Sequence, residues 1–304
     1  MRQPCGNSAW RRATRSIAAA ALLTMAAAVD ATPATAHPRV EVHPPNVLVH
    51  VGNWAGYVVR GEFRHVSATW VQPEITCPNP GVVQRVVPWV GLNGAAGVDG
   101  RTALPLMQTG AESLCISEAA MYAALPGIRI EHLAADLSRV DPRLAGQVMR
   151  VGDEVSNGLG GVADTLCATG VFPDSCYTFR EHTGWWESYP APPVMYEDDE
   201  VAPGDTMHAA VDWDGAVYTM TLENRTRGWT RTAVEASTSP VRTAEIVVEG
   251  HLDAALPGFT PITFTEIDID GRPLSDYDPQ VYGIAATNRF LYPGPVDGSS
   301  YTIG

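Results

Sequence analysis

The sequence contains no lysine, so all 20 of its basic side chains are arginines. That points to a GC-rich coding bias more than to a function, and it excludes a phosphate-binding loop of the glycine-rich, lysine-containing kind. Charge is also scarce. Charged residues make up 18% of the 304 positions, 34 acidic against 20 basic, for a formal net charge of −14. Sequence-independent phosphate binding is thereby excluded for the whole chain, and nucleic acid is not expected as a partner. Beyond the N-terminal region no stretch approaches the roughly 18 apolar residues needed to span a bilayer. Neither G-x-S-x-G nor H-E-x-x-H occurs, which removes the usual hydrolase signatures. The histidines are scattered, with no short metal-like spacing among those in the β regions; His65, His182, His208 and His251 read as surface or packing residues. No metal and no cofactor are expected.

What is present is a 45% apolar composition, enough to fill a real core, together with 28 glycines and 24 prolines, which argue against a mainly helical protein. Residues 1–36 read as a secretory signal peptide. Arg11, Arg12 and Arg15 precede an apolar run from Ile17 to Val29, and Ala34-Thr35-Ala36 is a small-residue cleavage pattern. The Arg11-Arg12 pair also leaves twin-arginine export open. The remainder is expected to be secreted, extracellular and free of the membrane, with a monomer as the default. Loss of the signal removes four arginines and one aspartate, so the mature chain is still more acidic and suits acidic surroundings. Export also removes Cys5 and leaves Cys77, Cys115, Cys167 and Cys176 in an oxidising compartment, where two disulfides are expected. Of the three connectivities, the nine-residue separation of Cys167 and Cys176 favours a local bridge, with Cys77 to Cys115 as its complement. The spacing fits no common zinc pattern.

Residues 37–52 carry Pro38, Pro44 and Pro45 and read as an extended N-terminal arm. From residue 53 onward short β-branched and aromatic runs alternate with Gly, Pro and Asn: NWAGYVV, VSATWVQP, VVQRVVPWVGLNG, LPLMQTGAE and, from Gly184, GWWESYP, DTMHAAVDW, AVYTMTLENRTRG, RTAVEAS, TAEIVVEG and TPITFTEIDIDG. Many short strands at regular spacing predict an all-β sandwich or barrel over 53–304. Residues 116–181 interrupt it as a partly helical insertion, with Ile130, Leu133, Leu137 and Val140 at helical spacing. It reads as a tolerated surface elaboration rather than a lid.

Strand parity sorts the polar groups onto faces. Trp89, Gly91 and Asn93 share one face; Leu106, Gln108, Gly110 and Glu112 another; Trp185, Glu187 and Tyr189 a third; Glu245, Val247 and Glu249 a fourth. A lone glutamate on an antiparallel sheet is ordinarily solvated. Tryptophan and tyrosine on the same parity as glutamine and glutamate describe instead an aromatic-walled groove, of a kind that binds a peptide or a sugar chain. Two weaker signals are Asn224-Arg225-Thr226, an N-glycosylation triplet, and Glu197-Asp198-Asp199-Glu200, which reads as a solvated loop before a calcium site.

The ordered series NWAGYVV (53–59), VSATWVQP (66–73), PWVGLNG (88–94), LMQTG (106–110), GWWESYP (184–190), PGDTMHAAV (203–211), TLENRTRG (221–228) and TAEIVVEG (243–250) resembles the glutamic peptidases known as eqolisins. The resemblance covers most of residues 53–266 apart from the insertion. It implies a concanavalin-like β-sandwich of two curved antiparallel sheets whose concave face binds a protein or peptide substrate. The family's catalytic glutamine falls on Gln108 and its catalytic glutamate on Glu245. Its cleft residues fall on Trp54, Trp89, Trp185 and Tyr189, with Glu187 and Glu112 beside them. Cys77 and Cys115 also resemble positions of bacterial members, in keeping with the pairing above.

These residue types suit amide hydrolysis, which needs a water deprotonated as it attacks and a donor for the oxyanion that forms. An ionised Glu245 would be the base, provided that hydrogen bonds or nearby donors favour its charged form. Three positions depart from the family pattern: Asn93 and Glu112 stand where it has aspartate, and Thr183 replaces an acidic residue. The alternatives are a secreted β-sandwich glycoside hydrolase, using Glu112, Glu187 and Glu245, and a carbohydrate- or peptide-binding module without turnover.

Overall fold

Alternation of apolar and polar residues generates some of the strands, and continuous buried runs generate others. In VYTMTLEN every second residue is buried, placing Tyr218, Met220 and Leu222 inward; in HVSATWV Val66, Ala68 and Trp70 face the main core while Ser67 and Thr69 between them are also buried. The computed structural model describes residues 39–43, 47–78, 83–95, 105–117, 178–189, 191–250 and 255–304, with Val148, Val151, Val155 and Leu159 between them as isolated helical positions.

The strands are β1 (Arg39–His43), β2 (Val47–Gly52), β3 (Trp54–Arg60), β4 (His65–Val71), β5 (Ile75–Thr76), β6 (Gln84–Leu92), β7 (Leu106–Ser117), β8 (Thr178–Tyr189), β9 (Val194–Met195), β10 (Thr206–Trp213), β11 (Val217–Asn224), β12 (Trp229–Ala236), β13 (Thr243–Glu249), β14 (Gly258–Phe259), β15 (Ile262–Ile269), β16 (Gln280–Ala285), β17 (Phe290–Leu291) and β18 (Tyr301–Ile303). One sheet runs β1-β2-β16-β3-β13-β6-β7-β8-β9, with β17 on β16, and the second runs β12-β11-β10-β4-β15-β18. This is the all-β sandwich expected. The arm at 37–52 contributes β1 and β2, which pair with each other, and β2 then runs parallel to β16. Strands β7 and β8 reach Ser117 and Thr178, so both extend into the segment read as an insertion.

The inner faces of the two sheets enclose one large core, including Trp70, Phe264, Met207, Tyr218, Leu222 and Ile246. Each fully buried aliphatic or aromatic side chain there contributes about 1.5–3 kcal/mol of transfer free energy. The Cys77–Cys115 disulfide is present and ties the loop after β5 to β7; Cys167 and Cys176 lie outside the described residues, as does the helix expected around 130–140. A second, smaller apolar cluster occupies the opposite face of the larger sheet: Val58, Val87, Trp89, Ala95, Leu106, Trp185, Val247 and Tyr282, with Trp54 and Met195 against it. Central strand β13 is therefore covered on both faces. Its apolar run TAEIVVE carries Ile246 and Val248 into the main core and Glu245, Val247 and Glu249 toward the smaller cluster.

Candidate active site

Cross-strand register builds the site. Glu245 on β13 is paired with Gly91 on β6, Gly91 with Gln108 on β7, and Gln108 with Glu187 on β8. The four form one row on the outer face of the larger sheet. The next row reads Tyr282, Gly56, Val247, Trp89, Gly110 and Trp185. Glycine beside each large ring is what lets the rings lie on the sheet. A Cβ on Gly110 would stand 2.6 Å from the Cβ of Trp89 and 2.4 Å from the Pro88 carbonyl oxygen. Pro88 has no N–H to donate, and the pairing of β6 with β7 lapses at Val87 and Pro88 before resuming at Val86 and Ser113.

Glu245 is 0% exposed and Gln108 is 4% exposed. The turn after β6 covers the glutamate: the Ala95 amide donates to Glu245 Oε1 at 2.9 Å. Parity had placed Asn93 on the face of Trp89, and the structure corrects this. A positive φ of 78° turns Asn93 toward the main core, where its Nδ2 donates to the Tyr218 hydroxyl at 3.2 Å and its Oδ1 accepts from the Arg242 amide at 2.7 Å. The strand period ends at Leu92, so counting by two past it misplaces the side chain. Gly94 then passes so close that a Cβ there would lie 3.1 Å from Glu245 Cδ and 2.8 Å from Trp54 Cη2.

Burial pushes the Glu245 carboxyl up to about 7. The Ala95 and Gly94 amides and Arg60 oppose this, as does the Thr243 hydroxyl, which lies close without meeting hydrogen-bond geometry. The donors expected around Glu245 are thus present, but burial outweighs them. Glu245 Oε2, Gln108 Oε1 and the Trp185 indole nitrogen have no hydrogen-bond partner among the described residues. Gln108 Nε2 donates to Glu187 Oε2.

The aromatic side chains expected to share a face do pack together there, with polar groups among them. Trp54 meets Trp89 edge-on at 5.1 Å, and both indole nitrogens donate to Glu249 Oε2 at 3.2 Å. Tyr282 packs near Trp54 and stacks on His50 of β2 at 4.8 Å. Arg85 lies between Glu112, at 3.8 Å, and Glu249, at 3.6 Å. Burial raises both carboxyls, with Arg85 opposing. Trp54, Trp89, Trp185, Glu187 and Glu112 all share this face with Glu245 and Gln108, and so does Tyr189, 37% exposed, which pairs with Leu106 at the end of β8. Sequence reasoning did not select Glu249, Arg85 or Tyr282. Glu249 carried the right parity and lies within TAEIVVEG, but no role was attached to it there, and Tyr282 comes from a strand outside the matched series.

Other sequence signals resolve differently. Asn224 is 0% exposed and donates to Asp205 at 2.8 Å, so its amide is not open to glycosylation. Asp199 and Glu200 pair with Arg231 and Arg227, and among the described residues no three His, Cys, Asp or Glu side chains are grouped to hold a metal ion. His65, His182 and His208 belong to hydrogen-bonded networks with Asp212, Ser113 and Thr69; His251 lies outside the described residues.

A two-sheet sandwich carrying a buried glutamate and glutamine on one face defines a class of β-sandwich hydrolase candidates, and comparison narrows it. The model of the Peptidase A4 family matches residues 52–135 and 157–288. The chain belongs to this family, the glutamic peptidases or eqolisins, and is a glutamic-type endopeptidase acting on protein or peptide substrates. Two crystal structures of scytalido-glutamic peptidase, one with a peptide-based transition-state analogue and one with a transition-state analogue inhibitor, align with TM-scores of 0.50 at 17% and 18% identity. Each alignment covers 83% of this chain and 97% of that one. The eqolisin SCP-B, in complex with the tripeptide Ala-Ile-His, aligns at 16% identity with a TM-score of 0.49, covering 83% and 97%. At such identities the likeness to the two scytalido-glutamic peptidase structures shows the fold alone. No curated protein sequence matches the chain. The family sets aside the glycoside-hydrolase and non-catalytic alternatives.

Proposed function

We propose that the protein is a secreted, acid-acting endopeptidase, working as a monomer without metal or cofactor, in which Glu245 and Gln108 carry the chemistry. The observation that supports this most directly is their common row: two buried side chains flank the side-chain-free Gly91, and each keeps an unpartnered oxygen. A substrate carbonyl and a water seated over Gly91 would meet both. Glu245 Oε2, ionised, takes a proton as the water attacks the carbonyl carbon. A Gln108 N–H donates to the developing oxyanion, a role that needs no titration. Protonated Glu245 then gives its proton to the leaving nitrogen as the C–N bond breaks.

Burial holds the proton on Glu245 in the substrate-free site. The attacking water, by donating to Oε2, favours the charged form, so the working range falls in weak rather than strong acid. The signal-like segment at 1–36 supports export.

The test is proteolysis of denatured casein by the purified protein between pH 3 and 7, with pepstatin present. Cleavage that persists with pepstatin, disappears in Glu245→Gln and falls on the order of 10²- to 10³-fold in Gln108→Ala supports the dyad. Cleavage undiminished by either substitution rules it out.

A further inference from the structure

A glutamine amide has two nearly equivalent orientations about its terminal torsion, and exchanging them swaps a donor for an acceptor. For Gln108 only one orientation is useful, because an oxygen turned toward the tetrahedral intermediate would repel the oxyanion. Its own oxygen has no partner among the described residues and the side chain is almost wholly buried. The orientation is therefore decided at the nitrogen, and there the partner is Glu187, directly opposite on β8.

We propose that Glu187 is a positioning residue, which holds the Gln108 amide so that its nitrogen, and not its oxygen, serves the oxyanion. This rests on the Glu245/Gln108 reading above and gives Glu187 a task other than touching substrate. An ionised carboxyl only accepts hydrogen bonds, so a flipped amide would set oxygen against oxygen. One Gln108 N–H is spent on Glu187 and the second remains for the substrate. The fold secures the arrangement: β7 and β8 pair without interruption from Leu106–Tyr189 to Ser117–Thr178, so Glu187 is presented from a rigid ladder, not a loop. Trp185, two residues earlier on the same face, is buried against the groove and holds that stretch of β8 down.

The decisive experiment is a double-mutant cycle with steady-state kinetics on a peptide substrate in weak acid, using Glu187→Gln, Gln108→Ala and the double variant, with melting temperatures as a folding control. Glutamine at 187 is the same size but both donates and accepts, so it satisfies either orientation of Gln108. The expected result is a kcat lowered by about tenfold or more with KM within about twofold, and no further loss when Glu187→Gln is added to Gln108→Ala. Glu187→Asp, which keeps the acceptor but draws it back, should fall between the wild type and Glu187→Gln. Losses that multiply in the double variant, or a raised KM with kcat intact, would show an independent contact with substrate and overturn the proposal. If Gln108→Ala itself retains full kcat, the dyad reading fails first and takes this inference with it.

Discussion

Glu245 and Gln108 stand on strands separated by β6, and the residue between them is Gly91. The absence of a side chain at that one position lets the buried side chains on either side pack closely around it. A Cβ on Gly91 would lie 2.8 Å from Trp89 Cζ3, 3.0 Å from Leu106 Cδ1 and 3.1 Å from Gln108 Cβ.

Gly91→Ala is therefore expected to lower kcat/KM on the order of 10²-fold or more, comparable with loss of an oxyanion donor, while overpacking costs about 1–3 kcal/mol of stability. Peptidase kinetics beside chemical denaturation separate the two. A folded, fully active alanine variant would mean that the reacting bond does not sit over this residue.

Stability should fall as pH rises through the range that Glu245 controls. Burial raises its carboxyl from 4.5 to about 7, so the folded protein keeps a proton that the unfolded chain gives up. That stabilisation is fully present below pH 4.5 and is lost as pH rises to about 7; Glu112 and Glu249, also raised by burial, act in the same direction. Glu245→Gln, neutral throughout, should match the wild type in acid and exceed it above pH 7 by up to roughly 3 kcal/mol. Melting curves of the two proteins that run parallel across this range would contradict the assignment.

Asn93 should set the pH response of the reaction without touching substrate. Its amide bridges Tyr218 and the Arg242 backbone and so fixes the turn that delivers the Ala95 N–H to Glu245. Asn93→Ala is expected to cost about 1–2 kcal/mol of stability and, by loosening that donor, to move the acidic limb of kcat upward by about one pH unit. An unshifted pH profile would restrict Asn93 to a purely structural part.

Glu249 should anchor the groove wall. One of its oxygens accepts from both Trp54 and Trp89, and the other faces Asn53 and Arg85. Glu249→Ala leaves two indole N–H groups unpaired and should destabilise the protein by about 1–3 kcal/mol and raise KM. Glu249→Gln, which keeps an acceptor for the indoles, should be milder on both measures. Equal effects from the two would point to charge, not hydrogen bonding, as the contribution of this residue.

Within single strands, the site was legible from period-two counting. Gln108 with Leu106 and Glu112, Trp185 with Glu187, and Glu245 with Val247 and Glu249 all lie on the outer face as that count requires. It failed at Asn93, where a positive φ ends the alternation, and a glycosylation triplet failed at Asn224, whose side chain is buried against Asp205.

The sequence by itself determined which elements form and which residues share a face, because a strand's side-chain direction depends only on its own pleat. It also determined family membership, through an ordered series of short motifs. Which faces meet was decided by the tertiary structure, since register between strands far apart in the chain is set by packing on both sides of a sheet. Only that register brings Glu245 across Gly91 to Gln108 and Gln108 to Glu187. Only the assembled fold buries Glu245 and raises its carboxyl to about 7, because desolvation belongs to the packing of several strands and to no residue alone.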